Sequence, residues 1–159
     1  MSAHPEDAVL AGKLKAHHAA MIKELDRLSA GLMTAAESGT GAASARAALE
    51  TWIHNVLIPH AEEEEATTYR AAGELPEGRL LIRSMLDEHV LIRQTGAHVA
   101  TAKNPVAAGA YARALLEIFD SHQRKENDII LPLLVESDAV SLTAVMGGGH
   151  HGHGHGHAH

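Results

Sequence analysis

No cysteine occurs in the chain. That excludes disulfides, thiolate-bound zinc, iron–sulfur centres and thiol nucleophiles, and it fits a reducing compartment. Long apolar runs are missing too. The longest, Ile129 to Val135, is interrupted by Pro132 and is far short of the roughly 20 residues a membrane helix needs. The start, Met1-Ser2-Ala3-His4-Pro5-Glu6-Asp7, lacks the basic then apolar order of a secretory leader, so the cytoplasm is expected. Positive charge is in deficit: 13 Lys and Arg stand against 20 Asp and Glu, with no dense basic patch, so nucleic acid is set aside as a partner. Aromatic residues make up only 3% while Ala and Leu abound, a balance that suits an all-helical protein.

The length suits one domain with a single core. Apolar residues at steps of three and four predict four long helices. The first runs from about Pro5 to Glu37 and ends at Ser38-Gly39-Thr40-Gly41. The second runs from about Ala42 to Ala72, with the stripe Leu49, Ile53, Val56, His60, Glu64. Pro76 suits the first position of the third helix, which reaches about Lys103. Asn104-Pro105 caps and opens the fourth, whose stripe is Tyr111, Leu115, Ile118, His122, Glu126, Ile129, Leu133, with Pro132 expected to end or bend it. Short turns between long amphipathic helices predict an up-down-up-down four-helix bundle over residues 1–136. Residues 137–159 are expected to be a short C-terminal segment with a flexible Gly/His-rich tail.

Six ionisable residues interrupt these stripes: His18, His60, Glu64, His89, His122 and Glu126. Burying them without compensation is prohibitive. Their heights also agree. His18 to the first turn, and that turn to His60, are each about 18 residues, or roughly 27 Å. His60 to the second turn, and that turn to His89, are each roughly 18 Å. His89 and His122 agree about the last turn to within about one helical turn. One layer therefore collects four imidazoles and two carboxylates.

A metal centre is the simplest compensation. The spacing of four in His60/Glu64 and in His122/Glu126 stacks each pair on one helix face. Two metals, each taking two histidines and sharing the two glutamates, use every donor. The set suits iron, with manganese or zinc behind it. A solvent-derived oxo or hydroxo bridge would complete the pair and leave positions for a small ligand. A single His-x-x-x-Glu is more often a surface pair, and a lone stripe histidine more often a hydrogen-bonded core residue. The coincidence of two pairs and two single histidines at one level favours metal.

The remaining histidines, His17, His54 and His98, are expected outside the donor set, at the surface or as supporting contacts, with His54 the best candidate for a supporting contact. Glu62, Glu63 and Glu65 are expected to face water. Trp52 and Tyr111 read as packing residues, and Tyr69 approaches the site if helix two is distorted. Pro59, immediately before His60, is expected to kink helix two or to divide it.

The segments "KAHHAAMIKELDRL", "LIPHAEEEEATTY", "MLDEHVLIRQ" and "SHQRKENDIILPLL" resemble the hemerythrin-like, HHE cation-binding family over about residues 8 to 135. The resemblance implies a hemerythrin-like bundle with two iron ions at the six residues. Oxygen-carrying members have a further histidine where Arg93 stands and an aspartate where Asn127 stands. The present set is similar to bacterial members linked to nitric oxide, peroxide and iron-centre stress. Members concerned with iron-centre repair often carry a cysteine-containing N-terminal segment, absent here. The expected function is a non-haem di-iron protein that binds or reacts with O2, peroxide or nitric oxide. Its partner would be a small diatomic or peroxide ligand, with no nucleic acid or membrane; a metal store or carrier is the alternative.

The stretch Gly147–His159, GGGHHGHGHGHAH, cannot form a core and is expected to be disordered without metal. It would hold an additional divalent ion. That holds for a native tail; a purification appendage is the alternative, although such tags usually have an unbroken run of histidines.

Overall fold

The computed structural model describes residues 4–147, and every regular element among them is helical. The first long helix, α1 (Pro5–Ser38), closes at Gly39, whose φ of 73° is the left-handed conformation glycine adopts without strain. A second run comprises α2 (Ala42–Trp52), a π segment (Ile53–Leu57), α3 (Ile58–Ala66) and α4 (Thr68–Glu74). A third is α5 (Arg79–Thr101). A fourth comprises α6 (Pro105–Lys125), a second π segment (Glu126–Ile130) and α7 (Leu131–Glu136). The short α8 (Leu142–Gly147) is a further helix that the expectation of four did not include. None of these helices is long and apolar enough to cross a membrane. The expected disorder of the His-rich tail falls on residues 148–159, outside those described.

Prolines explain much of the departure from plain helices. Proline cannot donate a hydrogen bond, and its ring collides with the carbonyl four residues back. Both Pro59 and Pro132 stand second in their helices, each just after a π segment. There the backbone reaches one residue further: Ile58 N–H bonds the Ile53 carbonyl, and Leu131 N–H bonds that of Glu126. The chain therefore continues past both prolines. Helix two divides instead at Thr67, whose Oγ1 bonds the Glu63 carbonyl at 2.7 Å. Pro76 does not open the third helix. It occupies the second position of a turn closed by Gly78 N–H to the Leu75 carbonyl, and a Cβ on Gly78 would lie 2.1 Å from the Ala72 oxygen. Asn104 caps α6 as expected, accepting from Ala107 N–H at 2.9 Å.

Each π segment also rotates the apolar face. Past the second one, Ile130 and Leu134 are buried, whereas Ile129 is 47% exposed and Leu133 only half-buried. In the first, Leu57 is buried and Val56 half-buried. Tyr111 lies at the surface, stacked on His98 at 4.8 Å.

The long helices pack side by side, α6 between α1 and α5, with α2 against α1. Their contacts form two apolar clusters. One is built around Met21, Leu25, Leu57, Ile92 and Phe119, the other around Tyr69, Met85, Ile130 and Leu134. Each long run passes from one cluster to the other, and the six ionisable residues occupy the crossing points.

Candidate metal centre

The structure brings all six sequence-identified residues together. His18, His89, His122, Glu64 and Glu126 are buried, and His60 nearly so. They come from α1, α3, α5, α6 and the start of the second π segment. Their donor atoms form two overlapping groups, His18/His60/Glu64/Glu126 and Glu64/His89/His122/Glu126, each contained within 4.8 Å and each able to hold a metal ion.

Both carboxylates belong to both groups. Glu126 turns Oε2 toward His18 Nε2 at 3.5 Å and Oε1 toward His122 Nε2 at 2.9 Å. Glu64 has Oε1 against His60 Nε2 and Oε2 toward His89 Nε2 at 3.8 Å. Every inward histidine nitrogen is therefore Nε2. Three of the outward nitrogens have defined acceptors. His18 Nδ1 donates to Asn127 Oδ1, His89 Nδ1 to Glu65 and His122 Nδ1 to Glu88, each at 2.7 Å. A proton on Nδ1 leaves the Nε2 lone pair free to face the centre.

Among the described residues six buried side-chain polar atoms lack a hydrogen-bond partner, and three of them are His60 Nε2, Glu64 Oε2 and Glu126 Oε2. His60 Nε2 is pressed against Glu64 Oε1 without forming a hydrogen bond. Leaving buried acceptors unmatched is costly, and a cation would match all three. The donor set thus fits a metal on its chemistry as well as its spacing.

The electrostatics agree. Burial pushes the His60 imidazole down to about 4, and neighbouring His18 adds to that. Burial also lowers His18 and His89, against the pull of Glu126 and Glu65 respectively. The two carboxylates divide. Burial drives Glu64 well up, helped by Glu126 beside it. Burial works the same way on Glu126, but hydrogen bonds from Glu64 and Tyr69, together with His122 beside it, outweigh burial and hold that group low. Without a cation, one proton is held on Glu64 between two carboxylates that cannot both be charged cheaply.

Tyr69 is the residue that stripe reasoning undervalued. It is 1% exposed, and its hydroxyl donates to Glu126 Oε1 while lying 2.8 Å from His122 Nε2 and 3.3 Å from His89 Nε2. The break at Thr67 re-aims α4 and brings it there. Burial and the two glutamates raise the phenol, so it stays protonated.

Other expectations change. Glu65 does not simply face water; it accepts from His89 and from Arg93 at 2.9 Å. Arg93 is thereby engaged outside the donor layer. Glu88, which was not singled out, accepts from His122 and also from Lys125. Glu62, Glu63 and His98 are exposed as expected, but so is His54, which supports nothing in the site. His17 is exposed, yet its ring lies 5.3 Å from that of His60. Adjacency to His89 was the one available signal for Glu88. Glu65 had none that set it apart, because it closes a run of four glutamates, Glu62 to Glu65.

A cavity of about 90 Å3 opens beside His18 and His60, with walls from Leu14, Ile130, Leu131 and Met146.

The family description Hemerythrin HHE cation binding domain matches residues 9–134. That span contains all six residues and Tyr69, and stops before α8. No curated protein and no solved structure matches the chain.

Proposed function

The chain belongs to the hemerythrin HHE cation-binding family, and from that membership and the site geometry we propose a non-haem di-iron protein that binds or reacts with oxygen, peroxide or nitric oxide. The observation that carries this reading is the two-sided use of Glu64 and Glu126, each offering one oxygen to the His18/His60 half and the other to the His89/His122 half. Four imidazoles and two carboxylates suit iron better than zinc or manganese. We read the fold as an up-down-up-down four-helix bundle with α8 as an addition to it, and the location as the cytoplasm.

Bound iron would supply Lewis acidity and one-electron redox capacity toward a small ligand. The protein's own groups do the rest. Asn127, Glu65 and Glu88 hold three imidazoles in the tautomer that aims Nε2 inward. Glu64 gives up its proton when a cation replaces it, so metal uptake releases protons. Leu14, Ile130, Leu131 and Met146 give the approach an apolar wall, and the cavity of about 90 Å3 has room for a ligand of two or three heavy atoms. In the other half, the Tyr69 hydroxyl stands ready to donate a hydrogen bond.

Metal analysis and an optical spectrum of the protein ending at Gly147 test the reading. About two iron ions per chain are expected. A firm value near one, or zinc alone after growth in iron-rich medium, would overturn it. The six histidines of residues 148–159 favour a second reading, a metal store or carrier. Ready release of iron to an acceptor would support that reading; tight retention during ligand turnover would support the first.

A further inference from the structure

The two halves of the centre differ in how they can be reached. Around His89 and His122 the outward nitrogens are taken by Glu65 and Glu88, and those carboxylates are engaged by Arg93 and Lys125. The His18/His60 half instead opens on the cavity of about 90 Å3, and Met146 stands in the wall of that cavity. Of the methionines among the described residues, Met146 alone lines it. Met21 and Met85 are buried in the two apolar clusters. Met33 is 37% exposed but lies fifteen positions along α1 from His18, or roughly 22 Å. The chain has no cysteine, so thioethers are its only sulfur. A thioether is soft and easily oxidised, and here one shares a small space with two imidazoles of the centre.

The placement of Met146 is built, not incidental. It belongs to α8, which is pinned at its other end. Asp7, with no exposed surface, accepts from Leu142 N–H and Thr143 N–H at 2.8 Å and from Thr143 Oγ1 at 2.7 Å. Leu142 is fully buried in the second apolar cluster, and the half-buried Met146 packs against the same cluster. All of α8 lies beyond the family match, which ends at residue 134.

We propose that Met146 is a modification site, oxidised to the sulfoxide by hydrogen peroxide that enters this cavity. The inference rests on the di-iron reading for the arrival of peroxide and adds a protein group that consumes it. A sulfur lone pair attacks one peroxide oxygen, the O–O bond breaks and an S–O bond forms. The second oxygen takes the proton of the first and leaves as water. Sulfur gives up two electrons and peroxide accepts them, so no electron is drawn from a metal. Confinement supplies the rate: one molecule held in a space of this size is at an effective concentration on the order of 10 M. The product is polar and fits poorly against an apolar cluster, so oxidation loosens the last turn of α8.

The test is site-resolved mass spectrometry of the iron-loaded full chain after brief exposure to a small excess of hydrogen peroxide, with catalase as the quench and retained iron counted in the same samples. Exposure alone would oxidise Met33 before the half-buried Met146. The proposal expects the reverse, with Met146 sulfoxide forming at least about tenfold faster than Met33 sulfoxide. Asp7→Ala frees α8 and should bring the two rates close together. Oxidation of Met33 as fast as Met146 in the native chain, or a preference that survives Asp7→Ala, would overturn the proposal. Retained iron in those samples would leave the centre standing. A chain that retains no iron fails the di-iron reading, and its own ratio of Met146 to Met33 oxidation still decides the modification site.

Discussion

Acidifying the metal-free protein should remove the stability that a neutral, buried His60 contributes, well before carboxylates titrate in the ordinary way. His60 is held neutral by burial, with its folded value at about 4 against 6.5 for the free imidazole. Between those values the unfolded chain binds a proton that the folded chain refuses, so stability falls as pH falls. No loss is expected above about pH 6.5, and this contribution is complete near pH 4. The difference corresponds to about 3 kcal/mol. His18 and His89 are lowered too and act in the same direction. Glu64 acts oppositely, because its raised folded value means that the folded chain keeps a proton the unfolded chain has lost. The His60 part alone, about 3 kcal/mol, corresponds for a chain of this size to a Tm decrease of roughly 6–12 °C. The assay is thermal unfolding followed by circular dichroism on chelated, desalted protein at several pH values from 7 to 4.5, beside His60→Gln. The variant should melt with a shallower pH slope. An unchanged slope in the variant would refute the assignment of His60 as a buried neutral imidazole.

Three further outcomes follow from the same geometry. Glu88→Gln and Glu65→Gln should each weaken metal retention by about ten- to a hundredfold in chelator competition, whereas His98→Ala should not change it; equal retention would deny these carboxylates an orienting role. Tyr69→Phe should cost the metal-free protein about 1–3 kcal/mol in urea unfolding, since Glu126 loses a buried hydrogen-bond donor, and an unchanged midpoint would place the hydroxyl elsewhere. Asp7→Ala should cost about 1 kcal/mol and speed iron loss to chelator, because it unpins α8 from the cavity wall; loss at the native rate would show that α8 does not guard the opening.

The six donors could be found in the sequence because a polar residue in a helical stripe violates a periodic rule, and six violations at one height need a common cause. Helix lengths alone brought His18, His60, His89 and His122 to one level, since rise per residue is nearly constant. The capping of α6 by Asn104 was equally local and equally legible. By contrast, periodicity assigned Ile129 and Leu133 to the core. It could not anticipate that the chain would accommodate Pro132 with a π segment, which adds a residue and turns Ile130 and Leu134 inward instead.

What the sequence by itself determined, then, were the all-helical class and the six residues of the candidate centre, because both depend on spacing along one helix. Tertiary structure alone decided which groups support those donors. Tyr69 reaches Glu126 across 57 positions, Glu65 reaches His89 across 24, and Asp7 reaches Thr143 across 136. Such contacts depend on the azimuth of one helix against another, which each π segment and the break at Thr67 reset. Stripe periodicity records where a helix is apolar, and it carries no information about how far a neighbouring helix has been turned.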